Sequence, residues 1–263
     1  MESAQDLRDA DESGILQKSI TSGKWLTLGY GFQKVIGFFS FLILARILTP
    51  ADFGILAIVL LIPRILEATT ETGFAAAAIQ KNGDIKAYLN PIWSISVLKS
   101  LVIFILVFIS GPYIARYYHA ENAELAIRLG GLFIVAYNLT NVGEIYFWKD
   151  IIFKKVVIRN TLKELSYVLT AVPLALVFRS YWALLAGTMA SYAMQTVSTY
   201  FLHPYRPRLT LNFRPLKDLF GYSRWVVGQG WIEHIYGFLE QTLVARQTNI
   251  SDVGLYSKAK NMA

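Results

Sequence analysis

The sequence has no cysteine and only three histidines among its 263 residues. The first absence excludes disulfides and thiolate metal centres. His119, His203 and His234 are too scattered to hold zinc without carboxylate help, so no metal and no cofactor are expected. Charge is also scarce. Asp, Glu, Lys and Arg make up 16% of the chain, against about a quarter of a soluble domain. The opening residues lack the basic, apolar and small-residue succession of a signal peptide. Met1 to Ser22, with Glu2, Asp6, Asp9, Asp11 and Glu12, reads instead as a polar, partly helical cytoplasmic tail.

Apolar residues are what the chain has in excess. They account for 54% of it, and the mean hydropathy is +0.42. They cluster in stretches of about 20 residues, the length that crosses a hydrocarbon core. Seven spans are expected, over residues 24–48, 51–79, 87–111, 123–146, 161–178, 181–202 and 216–245. Gly111-Pro112 is taken to end the third. Between the first two, Thr49-Pro50-Ala51-Asp52 predicts a capped helix start, with Thr49 as N-cap, Pro50 at the first position and Asp52 closing the box. The fold class is all-α, a polytopic membrane helix bundle.

The net charge of +7 could suggest nucleic acid, but the basic residues sit between apolar runs, so membrane topology explains them and no nucleic-acid partner is expected. One side holds Arg8, Lys18, Lys24, Lys81, Lys86, Lys149, Lys154, Lys155, Arg159, Lys163, Arg206, Arg208, Arg214, Lys217 and Arg224, 15 in all. The other holds Arg46, Arg116, Arg128, Arg179 and Arg246, which is 5. Positive loops stay in the cytoplasm, so the N-terminus is expected inside. Trp25, Trp148, Trp182 and Trp225 near span ends suit interfacial positions.

A shift of 200 positions superimposes residues 25–54 on 225–254 with seven identities: Trp25/Trp225, Gly37/Gly237, Phe38/Phe238, Ala45/Ala245, Arg46/Arg246, Asp52/Asp252 and Gly54/Gly254. Average composition gives roughly two by chance. The alternative is coincidence between two apolar helices. If the repeat is real, the six intervening spans make it parallel, related by an axis along the membrane normal. The expectation is a tail (1–22), a six-helix lobe (23–203), then an inter-lobe loop and the first helix of a truncated second lobe (204–263).

Gly23-Lys24-Trp25 and the run Leu44-Ala45-Arg46-Ile47-Leu48-Thr49-Pro50-Ala51-Asp52-Phe53-Gly54 resemble the start of bacterial polysaccharide-export flippases. These belong to the multidrug, oligosaccharidyl-lipid and polysaccharide exporter superfamily. Gly73-Phe74 through Ile79-Gln80, Trp148 to Lys155, Tyr205 to Leu209 and Asp252 to Ser257 extend the similarity. The resemblance implies two six-helix lobes around a cavity that faces each side in turn. It implies transfer of an undecaprenyl-pyrophosphate-linked oligosaccharide from the cytoplasmic to the outer leaflet of the bacterial inner membrane. A coupling cation and other polysaccharide assembly proteins are further partners it allows. The chain lacks most of a second lobe, which puts transport by this chain alone in question.

Lys34, Arg64, Glu67, Glu71, Lys99, Glu233 and Glu240 all fall inside expected spans. Each would cost about 2.5–3.5 kcal/mol facing lipid at a helix centre. They are therefore expected to face protein or water, to pair, or to reach an interface. Arg64, Glu67 and Glu71 at i, i+3 and i+7 read as one helical stripe, with an Arg64–Glu67 pair as the structural alternative. Tyr30, Gln33, Lys34, Gly37 and Phe41 form one face of the first span. In the repeat, Gln33 corresponds to Glu233 and Lys34 to His234. Lys34, Arg64, Glu67, Glu71, Lys99, Glu233 and His234 are the candidate cavity residues, since a diphosphate head needs cationic partners. Lys99, near Ser94, Ser96 and Ser100, also fits an interhelical role. Arg46, Asp52 and Gly54, with Arg246, Asp252 and Gly254, read as a structural turn motif.

Other motifs carry little. Asp52-Phe53-Gly54 matches the kinase metal-binding tripeptide without a glycine-rich or catalytic loop, so it is a helix start. Asn249-Ile250-Ser251 fits a glycosylation acceptor by spacing alone. A membrane-embedded glycosyltransferase would need a substantial outer loop, and the expected ones are short, so no enzyme is expected. A multidrug-type exporter or an assembly scaffold remain the alternatives.

Overall fold

The computed structural model describes the backbone of residues 4–228 and the side chains from residue 21. Among these residues there are helices and turns and no β-strand. Helix α1 (Ala4–Ile47) runs without a break across residue 22, where the sequence reading ends the tail. Helix α2 (Pro50–Thr69) opens as its sequence predicts. The Thr49 N–H donates to Asp52 Oδ2 at 2.9 Å, and the Asp52 N–H donates to Thr49 Oγ1 at 3.4 Å.

The expected second span is two pieces. α2 stops at Thr69, Gly73 takes a left-handed φ of +66°, and α3 (Phe74–Gln80) leaves at 54° to α2. Glycine fits because a side chain at positive φ is strained, and because a Cβ here would lie 2.8 Å from the Ser223 carbonyl. The third span does not end at Gly111-Pro112. α4 (Lys86–Tyr117) continues through Pro112, as it does through Pro91. Proline removes one hydrogen bond, whereas ending a helix inside a bilayer would expose several unpaired backbone groups. The fourth span also bends, by 58°. It comprises α5 (Glu124–Leu129), α6 (Gly131–Asn138) and, after a 3-10 turn at Val142–Glu144, α7 (Ile145–Lys149). α8 (Phe153–Phe178) starts well before residue 161, and α9 (Tyr181–Leu202) matches its expected limits.

Among the described residues three helical stretches, Thr21–Ile47, Lys86–Tyr117 and Phe153–Phe178, are long and apolar enough to cross a membrane, or five if each bent pair counts as one span. α9 is as long as a span but more polar, because Thr188, Ser191, Gln195, Ser198 and Thr199 line its buried side. The protein is an all-α, multi-pass membrane helix bundle. A 3-10 helix (Arg214–Leu219) and a helix opening at Phe220 begin the expected seventh span. The rest of that span, and the repeat positions from Gly237 to Gly254, lie outside the described residues.

α1 packs on α8 and α8 on α9, while α2 sits among α4, α6 and α9. The backbones approach closely where proline and glycine meet. Pro63 has no N–H for the Val59 carbonyl, and Gly130 lies against that oxygen, where a Cβ would stand 2.6 Å away. At one end of the bundle Asp52 Oδ1 accepts the Tyr181 N–H at 2.8 Å and the Tyr181 hydroxyl donates to the Asn122 carbonyl at 3.1 Å. At the other, Ser22 Oγ donates to the Ile151 carbonyl and Lys155 Nζ to the Leu202 carbonyl, both at 2.8 Å.

Candidate functional site

Two polar regions hold most of the described intramembrane charges, and different helices build them. The first is a groove of about 680 Å³ between α1 and α8. Tyr30, Gln33, Lys34, Gly37 and Phe41, the face read from helical spacing, all line it, together with Glu164 and Tyr167 of α8. Lys34 is exposed. Gln33 Nε2 donates to Thr161 Oγ1 at 3.3 Å, tying the two walls. Gly37 keeps the walls close, because a Cβ there would meet Glu164 Oε1 at 3.3 Å. Further along α8, Lys163 lies over the Tyr192 ring, 4.8 Å from its centre. The groove combines aromatic rings, an amide, a cation and a carboxylate. It can meet hydroxyls and phosphate together.

The second region is a smaller chamber of about 150 Å³ between α2, α4, α6 and the turn before α7. Lys99 Nζ pairs with Glu67 Oε1 at 2.9 Å, and Asn138 Nδ2 donates to the same oxygen at 3.3 Å. Glu67 Oε2 and Trp93 Nε1 are buried there without a hydrogen-bond partner among the described residues. In a polar space of this size, water is the usual partner for such atoms. Glu144 also lines the chamber and is ion-paired with the buried Arg159, whose Nη2 donates to Asn160 Oδ1 at 2.9 Å.

This geometry revises several expectations. Glu67 pairs with Lys99 rather than Arg64, which is exposed on α2. Glu71 is not on the α2 stripe, because the helix has ended at Thr69, yet it still lines the chamber. Lys34 and Lys99 do not share a cavity. Lys154, Lys155, Arg159 and Lys163 belong to α8 rather than to a loop. At the turn motif, Asp52 joins the helix start to Tyr181, and Gly54 is buried. Arg46 is exposed and forms no ion pair with Asp52. Glu233, His234, Arg246, Asp252 and Gly254 lie outside the described residues.

Sequence reading missed Asn138, Asn141 and the Glu144–Arg159 pair. Their signal was a cluster of amide and acid residues inside an otherwise apolar run. Asn141 fastens the segment after α9: its Nδ2 donates to the Tyr205 carbonyl at 2.6 Å and its Oδ1 accepts the Gly143 N–H at 2.9 Å. Beyond it, the Tyr205 hydroxyl and the Arg208 N–H both donate to Asn90 Oδ1, and the Thr210 N–H donates to Ser94 Oγ at 2.8 Å. His203 starts this segment, its ring stacked on Tyr146 at 5.5 Å. Burial, then Lys155 and Arg206, pushes the His203 pKa down against the pull of Asp150. The neutral ring accepts the Tyr205 N–H at Nδ1, at 3.1 Å.

The chain is 26% identical over 229 residues to the succinoglycan biosynthesis transport protein ExoT of Rhizobium meliloti (strain 1021), covering 84% of this chain and 45% of that protein. It is 21% identical to the teichuronic acid biosynthesis protein TuaB of Bacillus subtilis (strain 168), covering 93% and 51%. The lipopolysaccharide biosynthesis protein WzxC of Escherichia coli (strain K12) is likewise 21% identical, over 95% and 51%. The chain thus spans about half the length of the curated relatives it matches. No solved structure matches it. The profile of one family covers residues 43–263, from just before the capped turn, through the chamber and the α8 wall of the groove but not its α1 wall, to the last residue of the sequence, and by that match the chain belongs to the polysaccharide biosynthesis protein family.

Proposed function

We propose that this chain supplies the first lobe, and the first helix of a second, of a transporter for lipid-linked oligosaccharide in the bacterial inner membrane. The observation that carries this reading is the α1–α8 groove, in which Lys34 stands beside Tyr30, Gln33, Glu164 and Tyr167. A lysine ammonium on an exposed wall is a natural charge partner for a pyrophosphate head. The aromatic and amide groups beside it suit sugar hydroxyls and ring faces. An undecaprenyl-pyrophosphate-linked unit combines both chemistries. ExoT is by name a transport protein for succinoglycan biosynthesis, which supports transport rather than catalysis. Movement from the inner to the outer leaflet follows if the lobes rock about the groove.

The test uses the chain fused to the second half of a full-length relative, in cells that lack their own exporter for the same sugar. Lys34→Ala is expected to reduce delivery of lipid-linked sugar to the outer leaflet at unchanged abundance, and Lys34→Arg to retain most of it. Normal transport by Lys34→Ala would remove the groove from the mechanism. Orientation has its own check. The chain is free of cysteine, so a single Ala51→Cys variant should react with an impermeant maleimide added outside. Reaction only from the cytoplasmic side would reverse the topology.

A further inference from the structure

A third groove, between α3, α4 and the 3-10 helix Arg214–Leu219, shares no lining residue with the two polar regions. Its volume is about 450 Å³, inside the range of roughly 300–1,000 Å³ for small-molecule clefts. Phe74, Ile95, Phe213, Leu216 and Phe220 form its walls, and among the described residues Lys217 is the only charged one lining it. In a 3-10 helix, side chains at i and i+3 eclipse. Leu216 and Leu219 accordingly turn inward together, both buried, while Arg214 and Lys217 share the exposed side. Among the described residues neither cation is in an ion pair. The adjacent Asp218 is held elsewhere, accepting the Tyr88 hydroxyl at 3.3 Å.

Ile95 also begins an apolar row along α4. Leu98, Val102, Ile105 and Ile109 follow it at helical spacing, and all four are exposed. The row extends about 21 Å from Ile95 at the rise of an α-helix, on a stretch apolar enough to cross a membrane. The groove therefore leads from a rim with two cations onto an aliphatic track, the outline of an amphiphile with an anionic head. Arginine and lysine together suit a phosphate oxygen set, and a short amphipathic element with a basic face is the form of an interfacial anchor.

We propose that this groove binds an anionic phospholipid of the surrounding bilayer. Its phosphate sits on Arg214 and Lys217, and one acyl chain runs over Phe74 and Ile95 onto the α4 row. The bilayer's own lipid is the occupant because it presents this head and chain continuously at that depth. Bound there, the lipid pins the segment that joins the two expected lobes to the membrane surface, where Asn90 and Ser94 already hold its backbone to α4. This binding is independent of what the protein transports.

Nanodiscs containing the full chain in phosphatidylcholine provide the test. They are doped with phosphatidylglycerol or, separately, phosphatidylcholine carrying a photoreactive group in the acyl chain. The phosphatidylglycerol probe should label peptides containing Phe213–Phe220 well above the phosphatidylcholine probe. Replacing both cations, Arg214→Gln with Lys217→Gln, should reduce that excess roughly thirtyfold, and either alone roughly fivefold. Labelling along the outer face of α8 should stay constant, which reports an intact fold. Equal labelling by the two probes, absence of labelling by either, or no response to the double substitution would overturn the proposal. A polyprenyl phosphate competitor that displaces the probe far better than unlabelled phosphatidylglycerol would overturn it too, by assigning the groove to an isoprenoid carrier.

Discussion

The chamber beneath α2 and the groove between α1 and α8 contain the same kinds of side chain under different accessibility. In the chamber, Lys99 and Glu67 meet at 2.9 Å with Asn138 beside them, and Glu144 faces a buried Arg159. In the groove, Lys34 is exposed on the α1 wall beside Tyr30, with Tyr167 on the α8 wall. The difference separates two uses of charge in a membrane bundle. A charge shut inside protein must be matched by protein, and the matching locks helices together. A charge on an open wall can also be reached from outside the protein. Substitutions in the two regions should therefore fail in different ways.

The largest effect is expected in the chamber. Arg159→Met leaves Glu144 buried without its partner and should destabilise the lobe by about 3–5 kcal/mol. Thermal unfolding in detergent, followed by tryptophan emission, measures this. The double variant with Glu144→Leu should recover most of the loss, since an apolar pair of similar volume is often neutral. If the single and double variants unfold alike, the pair is not what secures α8 to the α7 turn. Next in size is Gly130→Ala. A Cβ 2.6 Å from the Val59 carbonyl forces α5 and α6 away from α2, at a cost of about 1–3 kcal/mol. An unchanged melting temperature would mean the helices are not held at that spacing.

Asp52→Ala should cost about 1–2 kcal/mol, the usual loss for a helix cap, and Asp52→Asn less. Asp52 also shows how far the sequence could be read. Its capping role depends on Thr49 three residues away and is visible in the pattern. Its bond to the Tyr181 N–H joins positions 129 apart, and no local rule predicts that. The stripe of Arg64, Glu67 and Glu71 failed for a related reason. Helical spacing was extended through a run that Gly73 breaks, and nothing in the apolar pattern marks a 54° bend. Pro112 misled in the opposite sense, as a stop signal valid in water but not in lipid. The early start of α8 was hidden because Lys154, Lys155, Arg159 and Lys163 look like loop charges. In the structure Lys155 caps α9, Arg159 is buried against Glu144, and Lys163 covers the Tyr192 ring. The face of α1 from Tyr30 to Phe41 was legible because that helix is continuous.

The smallest stability effect should come from Lys34, and it is the one that sharpens the contrast. Exposed ionic contacts contribute about 0–1 kcal/mol, so Lys34→Ala and Lys34→Met should unfold within about 1 kcal/mol of the parent. Arg159→Met should lie well outside that band, although both changes remove one cation from the same bundle. Lys34→Met also keeps most of the aliphatic stem, so packing against Phe38 and Phe41 along α1 is preserved while the charge is lost. If Lys34→Met destabilised the lobe as much as Arg159→Met, the groove would be a second internal lock, and Glu164 on the opposite wall the first partner to substitute. If stability holds and only sugar export falls, the loss lies with a ligand of the groove rather than with the fold. Measuring unfolding and export on the same Lys34→Met and Arg159→Met preparations distinguishes the two outcomes, because the chamber variant should lose export only in proportion to its folded fraction.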